Sequence, residues 1–160
     1  MKISPPPLHF FHPARLVATG CGVGLAPVAP GTWGSLAALV PGAALHYWLG
    51  PLWLAVAALV VLAAGAVATD KLLASGADHD PPYVVVDEIG GQWLALVPAF
   101  PDPLSIGLAF LLFRLFDVWK PGPIGWVDRN LAGGIGAMLD DALAGVTAAL
   151  ALFVVLWLLP

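Results

Sequence analysis

The sequence is poor in charged residues and in cysteine. Only 10% of its 160 residues are Asp, Glu, Lys or Arg, whereas soluble domains average about 25%. With six basic residues and a formal net charge of −4, the chain lacks the basic surface that nucleic-acid binding requires. Its single cysteine, Cys21, excludes an intramolecular disulfide and a cysteine zinc site. We interpret Cys21 as a small packed residue among glycines.

Apolar residues are abundant: they make up 60% of the chain and give a mean hydropathy of +0.92. A soluble domain of this composition would expose large apolar patches and aggregate, whereas a bilayer covers them. The N-terminus has four prolines and no continuous apolar core, so it does not fit a cleavable signal peptide. We predict a membrane protein in which residues 1–17 form a cytoplasmic or interfacial arm and residues 18–160 a single membrane-embedded catalytic domain.

Apolar segments separated by turn signals predict an all-α, membrane-embedded bundle of four to five apolar helices. The segments 52–69 and 142–160 are long enough to span, and a Gly-, Pro- and charge-rich loop over 117–140 precedes the second. The segments 89–100 and 104–116 correspond to helices of only about 18–20 Å. They either span with the help of flanking residues or form a hairpin that enters the membrane partway.

Another apolar segment, 36–49, follows a loop rich in Gly and Pro. Thr32 and Ser35 are candidate caps for its helix. The loop itself is either a tight connection that shapes the start of the helix or an anion site, in which backbone amides and the two hydroxyls donate hydrogen bonds.

The charged residues lie at the ends of these segments. If each segment crosses once, all six basic residues lie at or within a turn of one face, together with nine of the ten acids. The positive-inside rule makes that face cytoplasmic. Charges that merely avoid apolar segments would also lie at helix ends, but this does not explain why the short turns on the other face are almost without charge.

Two pairs of adjacent acids stand before apolar segments, Asp87 with Glu88 and Asp140 with Asp141. One member of each pair can cap a helix, where the helix dipole favours negative charge. A second carboxylate exceeds what a cap needs, and at a membrane segment it is costly unless paired or metal-bound. Gln92 stands four residues after Glu88, on the same face of a helix.

Arg114, Asp117 and Lys120 are spaced three residues apart, which predicts that they line one side of a helix end. They are either a ladder of salt bridges or two cations for a phosphate with one carboxylate for a metal ion.

Several acids, a few cations and glycine-rich loops at one interface fit phosphate-ester chemistry with Mg²⁺, which binds carboxylate and phosphate oxygens. Arg and Lys would stabilise the charge of the phosphoryl group, and the membrane location points to a phosphorylated lipid. Cys21 has no arginine six residues later, and no histidine-nucleophile pattern is present. We therefore expect metal-activated water as the nucleophile, with an aspartyl-phosphate on Asp87 or Asp117 as the alternative.

Four motifs carry a family resemblance: APGTWGS at 29–35, VDEIGGQW at 86–93, FRLFDVWKPGPIGWVDRN at 113–130 and GGIGAMLDDALAG at 133–145. In this order and spacing, over about residues 18–149, the chain resembles phosphatidylglycerophosphatase A, a family of bacterial inner-membrane enzymes. The resemblance implies Mg²⁺-dependent hydrolysis of phosphatidylglycerophosphate to phosphatidylglycerol and inorganic phosphate, with the active site at the cytoplasmic face of a multi-pass protein. The phospholipid substrate and the membrane are the expected partners.

The motifs contain acids and cations, which we assign to roles on chemical grounds. The predicted metal ligands are Asp87, Glu88, Asp117, Asp140 and Asp141. The predicted phosphate-binding residues are Arg114, Lys120, Arg129, Thr32 and Ser35. The predicted catalytic residues are Asp87, Glu88, Asp117, Lys120 and Asp141. Two positions depart from the family pattern, because Gly122 stands where tryptophan is common and Gly125 where arginine is common. The second departure puts in doubt a role for position 125 in headgroup binding.

The residues are also compatible with two other functions. One is a phosphatase for another lipid or prenyl phosphate. The other is a non-catalytic membrane transporter or assembly protein, which would need charged groups near the membrane midplane. The apolar segments contain almost none, which argues against the second.

Overall fold

The computed structural model describes residues 7–78 and 81–158, and all regular structure in those ranges is helical. The first six residues of the predicted arm lie outside the described residues. The helices are α1 (Pro13–Ala18), α2 (Pro30–Leu49), α3 (Pro51–Ala74), α4 (Val86–Ala95), α5 (Pro103–Trp119), α6 (Pro123–Asn130) and α7 (Gly133–Leu158), with one 3₁₀ turn, Val23–Leu25. The predicted all-α class is confirmed.

Proline begins five of these seven helices. At the first helical position its missing N–H would be unpaired in any case, and its fixed φ suits the helix. In α2 this start falls at Pro30, with Ala29 as the N-cap. The prediction that Thr32 and Ser35 cap this helix is therefore wrong, because Pro30 begins the helix before either residue and both lie inside it.

The predicted loop over 117–140 is mostly helical. α5 extends to Trp119, α6 follows, and α7 already begins at Gly133. The expectation that Asp140 and Asp141 precede the last helix is thus wrong, since both lie about two turns inside α7. The glycines of this segment indicated a loop, but glycine also occurs within helices where it allows close packing against a neighbouring helix.

The first turn of α7 lies directly against α3. A Cβ atom at Gly134 would collide with the carbonyl oxygen of Ala66. The carboxylate of Asp70, near the end of α3, accepts a hydrogen bond of 2.7 Å from the Gly134 amide. α7 is therefore capped by a side chain from another helix rather than by a neighbour in sequence.

α4 lies at the centre of the bundle and contacts α2, α3, α5 and α7. Its backbone lies close to that of α7 where the two helices cross. A Cβ atom at Gly145 would collide with the Gly91 carbonyl oxygen, and one at Gly91 would lie 2.6 Å from the carbonyl oxygen of Asp141. Glycine at both positions permits this approach, which brings the acidic start of α4 beside the Asp141 region of α7.

α3 and α7 are long and apolar enough to cross a membrane. They have 24 and 26 residues, with mean hydropathies of 2.4 and 2.1 over an 18-residue stretch of each. Only 33% and 28% of these apolar stretches are buried inside the protein, so most of their residues are at least partly exposed on its surface. Among the described residues no further helix meets both criteria, so the predicted four to five membrane helices are not confirmed. α4, with 10 residues, is about 15 Å long and about half a bilayer core.

The N-terminal segment packs onto this bundle through α1, whose Ala14 and Ala18 are buried in a core cluster with Leu72 of α3. Cys21 lies in the turn that follows, with φ of +57°, and its side chain is exposed. The interpretation of Cys21 as a packed residue is wrong, because the left-handed turn directs it outward.

Replacing Gly145 with alanine tests the close crossing, with Gly107→Ala as the matched control. A Cβ atom at Gly107, in the second turn of α5, would meet nothing within 4 Å. Gly145→Ala should destabilise the protein by about 1–3 kcal/mol through overpacking, whereas Gly107→Ala should stabilise it by up to about 1 kcal/mol. Thermal unfolding in detergent measures both changes, and equal shifts would contradict the crossing.

Candidate active site

One end of the bundle contains a polar cavity of about 550 Å³. Its wall combines the start of α2, the end of α3, the start of α4, the end of α5, part of α6 and the first turns of α7. Most of the predicted site residues meet there although they are distant in sequence. Those that line the cavity are Thr32, Asp87, Glu88, Arg114, Asp117, Lys120, Asp140 and Asp141.

Three carboxylates converge on one point of this cavity. Asp87, Glu88 and Asp141 each offer an oxygen within 4.8 Å of the others. Asp87 and Glu88 lie in the first turn of α4, as the sequence predicts, and Asp141 reaches them across the glycine crossing. One oxygen of Glu88, Oε2, is buried without a hydrogen-bond partner. Three clustered hard oxygens, one of them unpaired, fit the ligand preference of Mg²⁺.

The electrostatics of the acidic cluster follow from burial and like charge. Burial and the neighbouring Glu88 carboxylate raise the pKa of Asp87 well above its usual range. Burial likewise raises the pKa of Glu88. The Asp117 carboxylate also raises this pKa, whereas the Arg114 guanidinium lowers it. Clustered buried carboxylates favour either protons or a cation beside them.

Arg114 lies at the edge of this cluster and forms an ion pair with Asp117, one turn later on α5. Its Nη1 is also 3.4 Å from the hydroxyl oxygen of Ser35. A Cβ atom at Gly31 would collide with Oε1 of Glu88, so this carboxylate lies directly against the backbone of α2. Glycine at that position leaves the space that Glu88 occupies.

Lys120 turns away from Arg114, so the predicted one-sided ladder is divided in two. It is the C-cap of α5, in the left-handed conformation, and its Nζ lies 2.5 Å from Asp128 Oδ1 and 2.5 Å from Asp140 Oδ2. Burial alone would lower the pKa of Lys120, but hydrogen bonds to these two carboxylates raise it well above its usual value. The other oxygen of Asp140, Oδ1, is buried without a partner.

Two predicted phosphate-binding residues do not line the cavity. Ser35 is buried behind the wall and donates its hydroxyl to the Gly31 carbonyl oxygen at 2.9 Å. Arg129 is exposed on α6, and its Nη1 would lie 3.0 Å from a Cβ atom at Gly125. That Cβ atom would also lie 2.5 Å from the carbonyl oxygen of Lys120, so a side chain at position 125 would displace the turn that holds Lys120.

Two cavity residues were given no role from sequence. Asp128, an acid of the motif at 113–130, pairs with Lys120 across the α5–α6 turn. Thr69 of α3 is only 2% exposed and its hydroxyl has no partner. The available signal for Thr69 was its place beside Asp70 and Lys71, where an apolar segment ends at the charged face.

Comparisons with known proteins agree with the family resemblance. The family described as phosphatidylglycerophosphatase A matches residues 16–156. The chain is 38% identical over 144 residues to phosphatidylglycerophosphatase A of Escherichia coli, covering 89% of this chain and 83% of that protein. It is 40% identical over 157 residues to phosphatidylglycerophosphatase A of Haemophilus influenzae, covering 95% of this chain and 94% of that protein.

A third relative has a different name. The chain is 42% identical over 153 residues to a putative phosphatidylinositol-3-phosphatase of Bacteroides thetaiotaomicron, covering 90% of this chain and 94% of that protein. No solved structure matches the chain.

The two ion pairs of Lys120 should differ in strength, which a double-mutant cycle measures. The side chain of Asp140 is 8% exposed and that of Asp128 is 41% exposed. The coupling of Lys120→Met with Asp140→Asn should therefore be about 1–3 kcal/mol, and its coupling with Asp128→Asn less than about 1 kcal/mol. Unfolding in mixed detergent micelles gives both values, and a larger coupling to Asp128 would contradict this geometry.

Proposed function

The chain belongs to the phosphatidylglycerophosphatase A family, and on that basis we propose that it removes the terminal phosphate of phosphatidylglycerophosphate. The products are phosphatidylglycerol and inorganic phosphate. The observation that carries the proposal is the cavity in which an acidic triad, Asp87, Glu88 and Asp141, lies beside two cations, Arg114 and Lys120.

The acidic triad supports Mg²⁺ as the cofactor. Asp87, Glu88 and Asp141 would hold the ion, with Asp117 and Asp140 at the border of the same cavity as further carboxylates. When bound, Mg²⁺ would act as a Lewis acid on the phosphate oxygens and would lower the pKa of the attacking water.

The cations of the cavity suit the phosphate group. Arg114 and Lys120 both line the cavity from the end of α5, and each pairs with a carboxylate that a substrate phosphate would partly replace. Thr32, in the first turn of α2, adds a hydroxyl donor to the same space. Donors placed on two sides of a phosphate hold it in one orientation and stabilise its charge in the transition state.

Hydrolysis requires one water molecule and one carboxylate that accepts its proton. The water oxygen forms the new bond to phosphorus, the bond from phosphorus to the glycerol oxygen breaks, and that oxygen takes up a proton as it leaves. An aspartyl-phosphate on Asp87 or Asp117 is the alternative route.

We further propose that the protein is a multi-pass protein of the bacterial inner membrane, with the cavity at the cytoplasmic face. The end of α3 and the start of α7, the two helices long enough to span, both contribute to the cavity wall. The cavity therefore lies near one end of both helices, at the depth where a lipid headgroup resides. The basic residues gathered there favour the cytoplasmic side.

A phosphatase for another lipid phosphate is the second candidate, because a similar protein is named a putative phosphatidylinositol-3-phosphatase. Phosphate release from phosphatidylglycerophosphate, phosphatidylinositol 3-phosphate, phosphatidic acid and a prenyl phosphate distinguishes the two. We expect the highest kcat/KM for phosphatidylglycerophosphate.

Chelation and two substitutions test the acidic triad. EDTA should abolish phosphate release from phosphatidylglycerophosphate, and Mg²⁺ should restore it. Asp87→Asn and Asp141→Asn should each lower kcat by on the order of 100-fold or more, because each removes one charged ligand. Asp102→Asn is the matched control: Asp102 caps the far end of α5, and asparagine caps equally well. Full activity after complete chelation, or in both triad variants, would contradict the metal mechanism.

Labelling with a membrane-impermeant maleimide tests the topology. Cys21, the only cysteine, is exposed and is expected on the cytoplasmic side. Cys21 should react with the maleimide only after the membrane is permeabilised. In a Cys21→Ser background, Leu49→Cys at the end of α2 should react in spheroplasts with an intact membrane. The opposite labelling pattern would place the cavity at the outer face.

A further inference from the structure

Gln92 is a fully buried amide just behind the cavity wall. Its relative exposure is 0%, and neither Nε2 nor Oε1 has a hydrogen-bond partner. An amide buried in this way loses its hydrogen bonds to water and gains none in return. A partner for Gln92 in the functional state of the protein would remove this penalty.

Glu88 offers the complementary unpaired atom. It stands one helical turn before Gln92 in α4, and its Oε2 is also buried without a partner. Side chains four residues apart in a helix have Cβ atoms about 5–6 Å apart, within reach of one hydrogen bond between two side chains of this length. Nε2 is a donor and Oε2 an acceptor, so one bond satisfies both atoms.

The Glu88 carboxylate lies between the Arg114 guanidinium and the carboxylates of Asp87 and Asp141. Oε1 lies against Gly31 of α2, on the side of the Arg114 guanidinium, while Asp87 and Asp141 define the carboxylate cluster on the other side. A hydrogen bond to Oε2 would oppose rotation of the carboxylate toward Arg114. Residues that hydrogen-bond a ligating carboxylate prevent such rotation and tune the affinity for metal.

We propose that Gln92 is a positioning residue: when a divalent cation is bound, its Nε2 donates a hydrogen bond to Oε2 of Glu88 and thereby holds this carboxylate toward Asp87 and Asp141. The inference rests on the proposed function, since it gives Glu88 its orientation for a divalent cation. Gln92 itself does not line the cavity and touches neither substrate nor reacting atoms.

Trp93 provides a matched control at the next position of α4. Its indole Nε1 donates a hydrogen bond of 2.9 Å to the carbonyl oxygen of Ala38 in α2. Trp93 is thus a side chain whose polar atom already has a structural partner. Removing that atom should affect stability alone, whereas removing the amide of Gln92 should affect the acidic cluster.

The experiment compares wild-type protein, Gln92→Met and Trp93→Phe in detergent, with Mn²⁺ as the probe. Electron paramagnetic resonance measures Mn²⁺ binding, and thermal unfolding is measured without metal. Gln92→Met keeps the side-chain length and should weaken Mn²⁺ binding by about 10–100-fold, with an unchanged or higher Tm because an unpaired buried amide is lost. Trp93→Phe should lower the Tm and leave Mn²⁺ binding unchanged.

A second variant at position 92 replaces Gln92→Met if that protein does not fold, and the wild-type protein tests the metal site itself. If Gln92→Met aggregates, Gln92→Asn, one methylene shorter, should show the same weakened binding, since its amide does not reach Glu88. Wild-type binding of Mn²⁺ by the position 92 variant, or a lower Tm with unchanged binding, would overturn the inference alone. Wild-type protein that binds no Mn²⁺ would overturn the metal site of the proposed function and this inference with it.

Discussion

The backbone contact between α4 and α7 is the constraint on which the rest of the site depends. Gly91 and Gly145 allow the two helices to touch with no side chain between them, and this contact sets the spacing of the residues at their polar ends. Asp141 then lies within carboxylate distance of Asp87 and Glu88. Three like charges repel each other, so a rigid helix crossing is needed to hold them together in the absence of a counterion.

The carboxylates of the cavity fall into two electrostatic groups. Asp117 forms an ion pair with Arg114, and Asp140 forms one with Lys120. The triad is formed by the acids without such a partner, which leaves a concentrated negative charge between helices. A divalent cation relieves that repulsion, and a substrate phosphate can then exchange contacts with the two cations. The separation of paired and unpaired acids therefore creates distinct places for a metal ion and for an anion.

The helical class and most residues that line the candidate site were predictable from sequence because both rest on local chemistry. Apolar runs bounded by proline and glycine indicated the helices, and adjacent acids such as Asp87 and Glu88 indicated a charged site. The errors in helix boundaries share one physical cause, since glycine and proline were interpreted mainly as breaks. Pro30 begins α2, and Gly134 permits α7 to pack on α3, so each lies within a helix where a loop was expected.

The sequence by itself determined which chemical groups are available, how apolar the helices are and which family the chain resembles, because these properties reside in individual residues and their order. Only the tertiary structure decided which groups meet. It brought Asp141 to the start of α4 through the glycine crossing, turned Lys120 away from Arg114 toward Asp140, and kept Arg129 outside the cavity. These outcomes depend on how closely separate helices approach, and that distance is set by packing between residues far apart in the chain.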